Sequence, residues 1–90
     1  MLPSQEKAYL RDLFVKRLLV NLSLFDLEPR FSIGEALKEF RGVSSDETVE
    51  ASFAEAELEF ERRYPLGWSN EKSCAFRTIN GERVYSSRCR

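Results

Sequence analysis

From Ser4 to Phe25 the apolar residues Leu10, Leu13, Phe14, Leu18 and Phe25 recur at spacings that gather side chains on one helical face. Leu19, Val20 and Leu22 widen that face to nearly half the cylinder, so the pattern predicts a central helix over about 4–25. Ser4 suits its N-cap with Pro3 just outside, and Pro29 drives Glu28 out of helical conformation beyond its end. Ser32 opens a second, shorter helix over about 32–41, with Glu35 completing a capping box. Ile33, Leu37 and Phe40 face inward together, and Gly42 stops it. The third helix begins at Ser44 or Ser45 and runs to about 63. Val49, Phe53, Ala56 and Phe60 form its narrow seam, flanked by Leu58 and alanines. Asp46 and Glu47 at its start and Arg62 and Arg63 at its end complement the helix dipole, and Pro65 and Gly67 forbid continuation.

Beyond "YPLGW" the period changes to two. Alternating runs flank Asn80-Gly81, the pair that best tolerates the positive φ angles of a type I′ turn, and predict a hairpin over about 73–79/82–89. The turn fixes the register: Ile79 opposite Glu82, Arg77 opposite Val84, Phe76 opposite Tyr85. A lone hairpin is marginal in water, so one face must lie on the helices. The expected fold is α+β, mainly α: one domain over 1–90, with a three-helix core and a C-terminal two-stranded β-hairpin.

Charge changes the picture more than composition does. The net charge of −1 conceals a segregation along the chain. Asp46 to Glu61 holds seven acids and no base, whereas residues 64–90 hold Lys72, Arg77, Arg83, Arg88 and Arg90 against Glu71 and Glu82. An acidic helix beside a basic tail predicts either internal pairing or two faces of opposite sign.

Candidate chemistry is sparse. Histidine is absent, which removes the commonest general base and a principal zinc ligand. The scattered glycines make no phosphate loop, and Glu57 and Glu61, four apart on a helix surface, repel rather than share a proton. A non-catalytic protein without cofactor or metal is the expectation. Cys74 and Cys89 fall on one hairpin face, but Cys89 stands opposite Lys72, a diagonal relation that favours free thiols. No segment approaches the roughly 18–20 apolar residues of a membrane span, and no export leader is visible, so a cytoplasmic setting is expected.

Helix, short helix, "GVSS" turn, longer helix and hairpin, with "FSIGEALKEFRGVSSDETVEASFAEAELEF" at its centre, resembles the winged helix-turn-helix family. The resemblance implies a three-helix core with a C-terminal β-wing, and DNA binding in much of that family. The third helix departs from it. Its leading polar positions are Ser45, Asp46, Glu47, Thr48, Glu50 and Ser52, and no base lies between Arg41 and Arg62. Such a helix is repelled by phosphates.

The favoured expectation is therefore a protein-binding regulator, adaptor or inhibitor. Its partner is another protein, a nucleic-acid-binding one included, and no membrane. The acidic face Asp46, Glu47, Glu50, Glu57 and Glu61 docks a basic surface, with Trp68 and Tyr64 as aromatic anchors or, for Trp68 especially, as core beneath the hairpin. The alternative partner is DNA, met by Arg77, Arg83 and Arg88 of the wing and tail with Lys7 and Arg11 of the first helix. Arg77 and Arg83 read equally as hairpin cover or as partners of the acidic helix. A monomer or weak homodimer completes the expectation.

Overall fold

A computed structural model of the chain describes residues 3–89. Arg90, counted above with the basic tail, lies outside the described residues. Three helices come first: α1 (Pro3–Val20), α2 (Ile33–Glu39) and α3 (Asp46–Arg63). A three-stranded antiparallel sheet follows, β1 (Leu66–Ser69), β2 (Cys74–Ile79) and β3 (Glu82–Tyr85), in the order β1-β2-β3. The fold is α+β and mainly α, as expected, with one strand more than the sequence predicted.

The helices close on a core of Leu10, Phe14, Val15 and Leu18 from α1, Phe31 and Ala36, and Val49, Phe53, Ala56 and Phe60 from α3. The whole expected seam of α3 is buried, and Ser52 joins it. Phe14 sits at the hub, its ring 6.0 Å from Phe31, 5.5 Å from Phe40 and 5.9 Å from Phe53. Ser32 and Ser45 cap α2 and α3, accepting hydrogen bonds from the N–H groups of Glu35 and Thr48. Pro3 stands inside α1 rather than just outside it, in the first turn, where its missing N–H costs nothing. Lys7 meets Glu55 and Arg11 lies beside Leu58 and Arg62, so α1 and α3 run side by side in the same direction.

The Asn80-Gly81 turn takes φ of 52° and 82°, and the register beyond it is the expected one. Gly67 lies opposite Phe76 on the other side, and the Phe76 ring occupies the space a side chain at Gly67 would need. The molecule is elongated, 48 by 22 by 15 Å.

Several expectations are corrected. Helix α1 stops at Val20, not near Phe25: Asn21 turns its side-chain amide back onto the Arg17 carbonyl, and Arg30 N–H bonds to the Asn21 carbonyl to start a new path. Leu22 bridges Pro29, Leu27 is buried with φ of 60°, and Phe25 is thrown outward. Val20 and Leu58 are exposed rather than packed, and Ala36 replaces Ile33 as the buried residue of α2. Trp68 is 62% exposed and is not core beneath the hairpin. Strand β3 ends at Tyr85 because the chain then turns, with Cys89 N–H bonding to the Ser86 carbonyl. That turn brings Cys89 back over β2, where it forms a disulfide with Cys74 at a Cα separation of 5.1 Å. The free thiols expected from a continued straight strand are thus not found.

Candidate functional site

Helix α3 carries its acids in two groups with different fates. Glu55 pairs with Lys7 of α1 at 2.9 Å. Glu59 accepts from Arg62 and from Arg63, and these hydrogen bonds hold its carboxyl down at about 2. Both residues are committed to neighbours on their own side of the helix. Asp46, Glu47, Glu50, Glu57 and Glu61 lie on another side, within a little over a quarter of the circumference at about 100° per residue. All are exposed. Glu61 alone of this set has an ion-pair partner among the described residues.

Glu50 and Glu57 border an open groove of about 660 Å³ between α3 and the segment entering α2. Pro29, Phe31, Ile33, Phe53 and Ala54 supply its apolar lining. The two carboxylates are two turns apart, about 10 Å along the axis. Arg30 also lines the groove but is turned to Asp26 at 2.6 Å. That bond, with one from the Glu28 N–H, keeps the Asp26 carboxyl below its usual range. The groove therefore offers an apolar floor with unpaired negative charge along one wall. Sequence reading finds that wall but not the opposite one, since periodicity turns Ile33 into the core of α2 and gives Pro29–Phe31 no contact with α3.

The candidate basic residues do not converge. Lys7 is held by Glu55, and Arg11 donates to Asp12 at 3.1 Å, both on the first half of α1. Arg83 lies over the Phe76 ring at 4.3 Å and Arg88 over Phe25 at 4.1 Å, on the sheet and the tail. Arg77, a DNA contact of the wing in one of the sequence readings, is 0% exposed. Its Nε donates to the Leu27 carbonyl at 2.7 Å, and Nη1 donates to the Tyr64 carbonyl and to Glu61, each at 2.9 Å. Nη2 donates to Glu61 at 3.0 Å, Glu28 stands 3.6 Å away, and the guanidinium rests on Phe60. Of the two readings open at the sequence level, the one that made Arg77 a partner of α3 is correct. With every side of the fork engaged, Arg77 has nothing left for a nucleic acid.

Tyr64, half-buried, packs its ring on Phe60 at 5.3 Å. Trp68 stands apart from the acidic groove, lining a small cavity of about 160 Å³ with Phe25, Asp26, Ala75 and Arg88. Neither aromatic residue lines the acidic groove. No cluster of metal-ligating residues occurs among the described residues, and no described helix is long and apolar enough to cross a membrane. Comparisons with protein-family models, curated proteins and solved structures find no match to the chain.

Proposed function

We propose that this is a non-catalytic protein-binding module, and that the groove between α3 and Pro29–Ile33 receives a basic amphipathic segment of a partner protein. One observation carries the proposal: Glu50 and Glu57 have no ion-pair partner among the described residues and stand on the rim of an apolar trough, while most acids elsewhere on α3 are internally neutralised. A helix that presents apolar residues to Phe31, Ile33 and Phe53 and lysines to the two carboxylates satisfies both requirements at once. Charge sets the orientation and the rate of encounter, and the apolar floor supplies the affinity.

Three helices followed by a small antiparallel sheet are compatible with a winged helix-turn-helix arrangement, and the likeness rests on that order of elements. DNA is the weaker reading, because Arg77 has left the set of available bases. A synthetic amphipathic Leu/Lys helix is the direct probe. It should shift the amide resonances of Phe31, Phe53 and Ala54, and the double substitution Glu50→Lys and Glu57→Lys should weaken binding roughly tenfold or more. Binding of random duplex DNA with a steep salt dependence, in place of the peptide, would sink the proposal.

The disulfide also bears on where the protein resides. Cytoplasmic thiols are kept reduced, so a Cys74–Cys89 bond favours an oxidising compartment. Alkylation of the thiols in freshly lysed cells, read by mass, decides between the two settings.

A further inference from the structure

The two edges of the sheet are not alike. The Thr78 N–H bonds to the Pro65 carbonyl, and the Ser86 N–H to the Ala75 carbonyl. Hydrogen bonding alternates along an antiparallel ladder, so these two bonds fix the direction of every backbone group in the sheet. In β1, Gly67 and Ser69 turn their N–H and C=O toward β2, and Leu66 and Trp68 turn theirs away. In β3, Arg83 and Tyr85 are the residues that point away.

The β3 edge is guarded by charge, with Glu82 and Arg83 in a short strand. The β1 edge, Leu-Gly-Trp-Ser, has no charged side chain and no proline within it. Its outward-bonding residues are also its exposed apolar ones, Leu66 at 47% and Trp68 at 62%. Their side chains lie on one sheet face, and Phe25, 55% exposed, shares the small cavity with Trp68. Backbone groups without a partner among the described residues and uncovered apolar side chains thus coincide along one strand.

We infer that β1 pairs antiparallel with β1 of a second copy of this chain, about a twofold axis passing between the two Gly67 residues. This register sets Leu66 against Trp68 of the second copy, and Trp68 against its Leu66, as reciprocally hydrogen-bonded pairs. The same residues then form apolar cross-strand pairs on one face. Gly67 meets Gly67 on the other face, where the Phe76 ring already covers the gap in each copy. The three-stranded sheets join into one of twice the width. No like charges face each other, because the strand has none.

The occupant follows from this symmetry. A four-residue edge whose two outward residues are each other's partners about a central glycine is complementary to itself. Exposed Trp68, Phe25 and Leu66 contribute on the order of 300 Å² of apolar surface per copy. Doubled, that apolar area is about half the roughly 1,200 Å² at which stable specific interfaces begin, and with the edge hydrogen bonds it fits a weak, reversible dimer with a dissociation constant of about 10–100 µM. This interface uses neither the acidic groove nor α3, and stands independently of the proposed function.

The test uses the full oxidised chain. Sedimentation velocity from about 1 µM to 1 mM should show a monomer converting to a dimer across the stated range. Amide exchange followed by NMR should slow at Leu66 and Trp68 as concentration rises, and remain unchanged at Arg83 and Tyr85. Trp68→Lys and Leu66→Lys, both at exposed positions, should each keep the folded amide spectrum and raise the dissociation constant about tenfold or more. A monomer at every concentration overturns the inference, including the case in which the edge takes a foreign strand. So does a dimer that protects Arg83 and Tyr85 instead, or one that both lysine variants leave intact.

Discussion

Arg77 and Glu61 face each other fork to fork, Nη1 to Oε2 at 2.9 Å and Nη2 to Oε1 at 3.0 Å, so that β2 is fastened directly to the last turns of α3. The same guanidinium reaches the Leu27 carbonyl in the α1–α2 connection and the Tyr64 carbonyl at the end of α3. One buried side chain thereby joins three parts of the chain.

Replacing Arg77 by Ala should therefore cost about 3–4 kcal/mol, since it strands the buried Leu27 carbonyl and the part-buried Tyr64 carbonyl and removes the packing on Phe60. Lysine should recover only part of that, because a single ammonium cannot reproduce the planar fork. Urea unfolding of the three proteins measures both differences. An alanine variant within 1 kcal/mol of the parent would show the fastening to be dispensable.

Ser52 gives a change in the opposite direction. It is fully buried in the middle of α3, and its hydroxyl has no hydrogen-bond partner among the described residues. Ser52→Ala removes an unsatisfied polar atom and gains helix propensity, and should stabilise the protein by about 1–2 kcal/mol. Thermal unfolding should show a raised midpoint, and a lowered one contradicts the account.

The side chain of Glu59 should titrate at about 2, well below the usual 4.5, with the hydrogen bonds from Arg62 and then Arg63 as the cause. Because the folded value is depressed, its stabilising effect is complete above about pH 4.5 and is lost as pH falls toward 2. Side-chain NMR titration reads the midpoint directly. The double variant Arg62→Gln and Arg63→Gln should return it toward the ordinary value, and an unmoved midpoint would contradict the assigned cause.

The disulfide should matter most to the tail. Cys89→Ser removes a link spanning 15 residues and should cost about 2–3 kcal/mol. The Ser87 N–H, bonded to the Leu24 carbonyl at 2.7 Å, should then exchange faster than the amides of α3. Equal protection of Ser87 in both proteins would show that the tail holds without the link.

What the sequence made legible was whatever depends on neighbours along the chain. The seam Val49-Phe53-Ala56-Phe60 is a helical period, and the Asn80-Gly81 turn carries its register with it, so both were readable. Helix α1 was overextended because the apolar phase runs on through Phe25, whereas Asn21 ends the helix by a side-chain bond that periodicity does not encode. Strand β1 was missed because four residues containing a glycine show no alternation, and only pairing with β2 makes them a strand. Arginine is seldom fully buried, so the sequence leaves Arg77 open as hairpin cover or as a partner of the acidic helix, and only the tertiary fork with Glu61 decides between them. The acidic side of the candidate groove was visible in the spacing of Glu50 and Glu57. Its other wall is tertiary, made when Phe31 and Ile33 fold over α3.

The Cys74–Cys89 link also reroutes mechanical load. The hairpin begins at Cys74 itself and ends before Cys89, so the covalent path from the C-terminal end passes directly into the first residue of β2. Tension applied at that end bypasses residues 75–88 and arrives at the start of β2. The hairpin neither carries the pull nor contributes length to the stretched chain, and peeling must begin where β1 holds β2. Reduction of one bond transfers the load to β3.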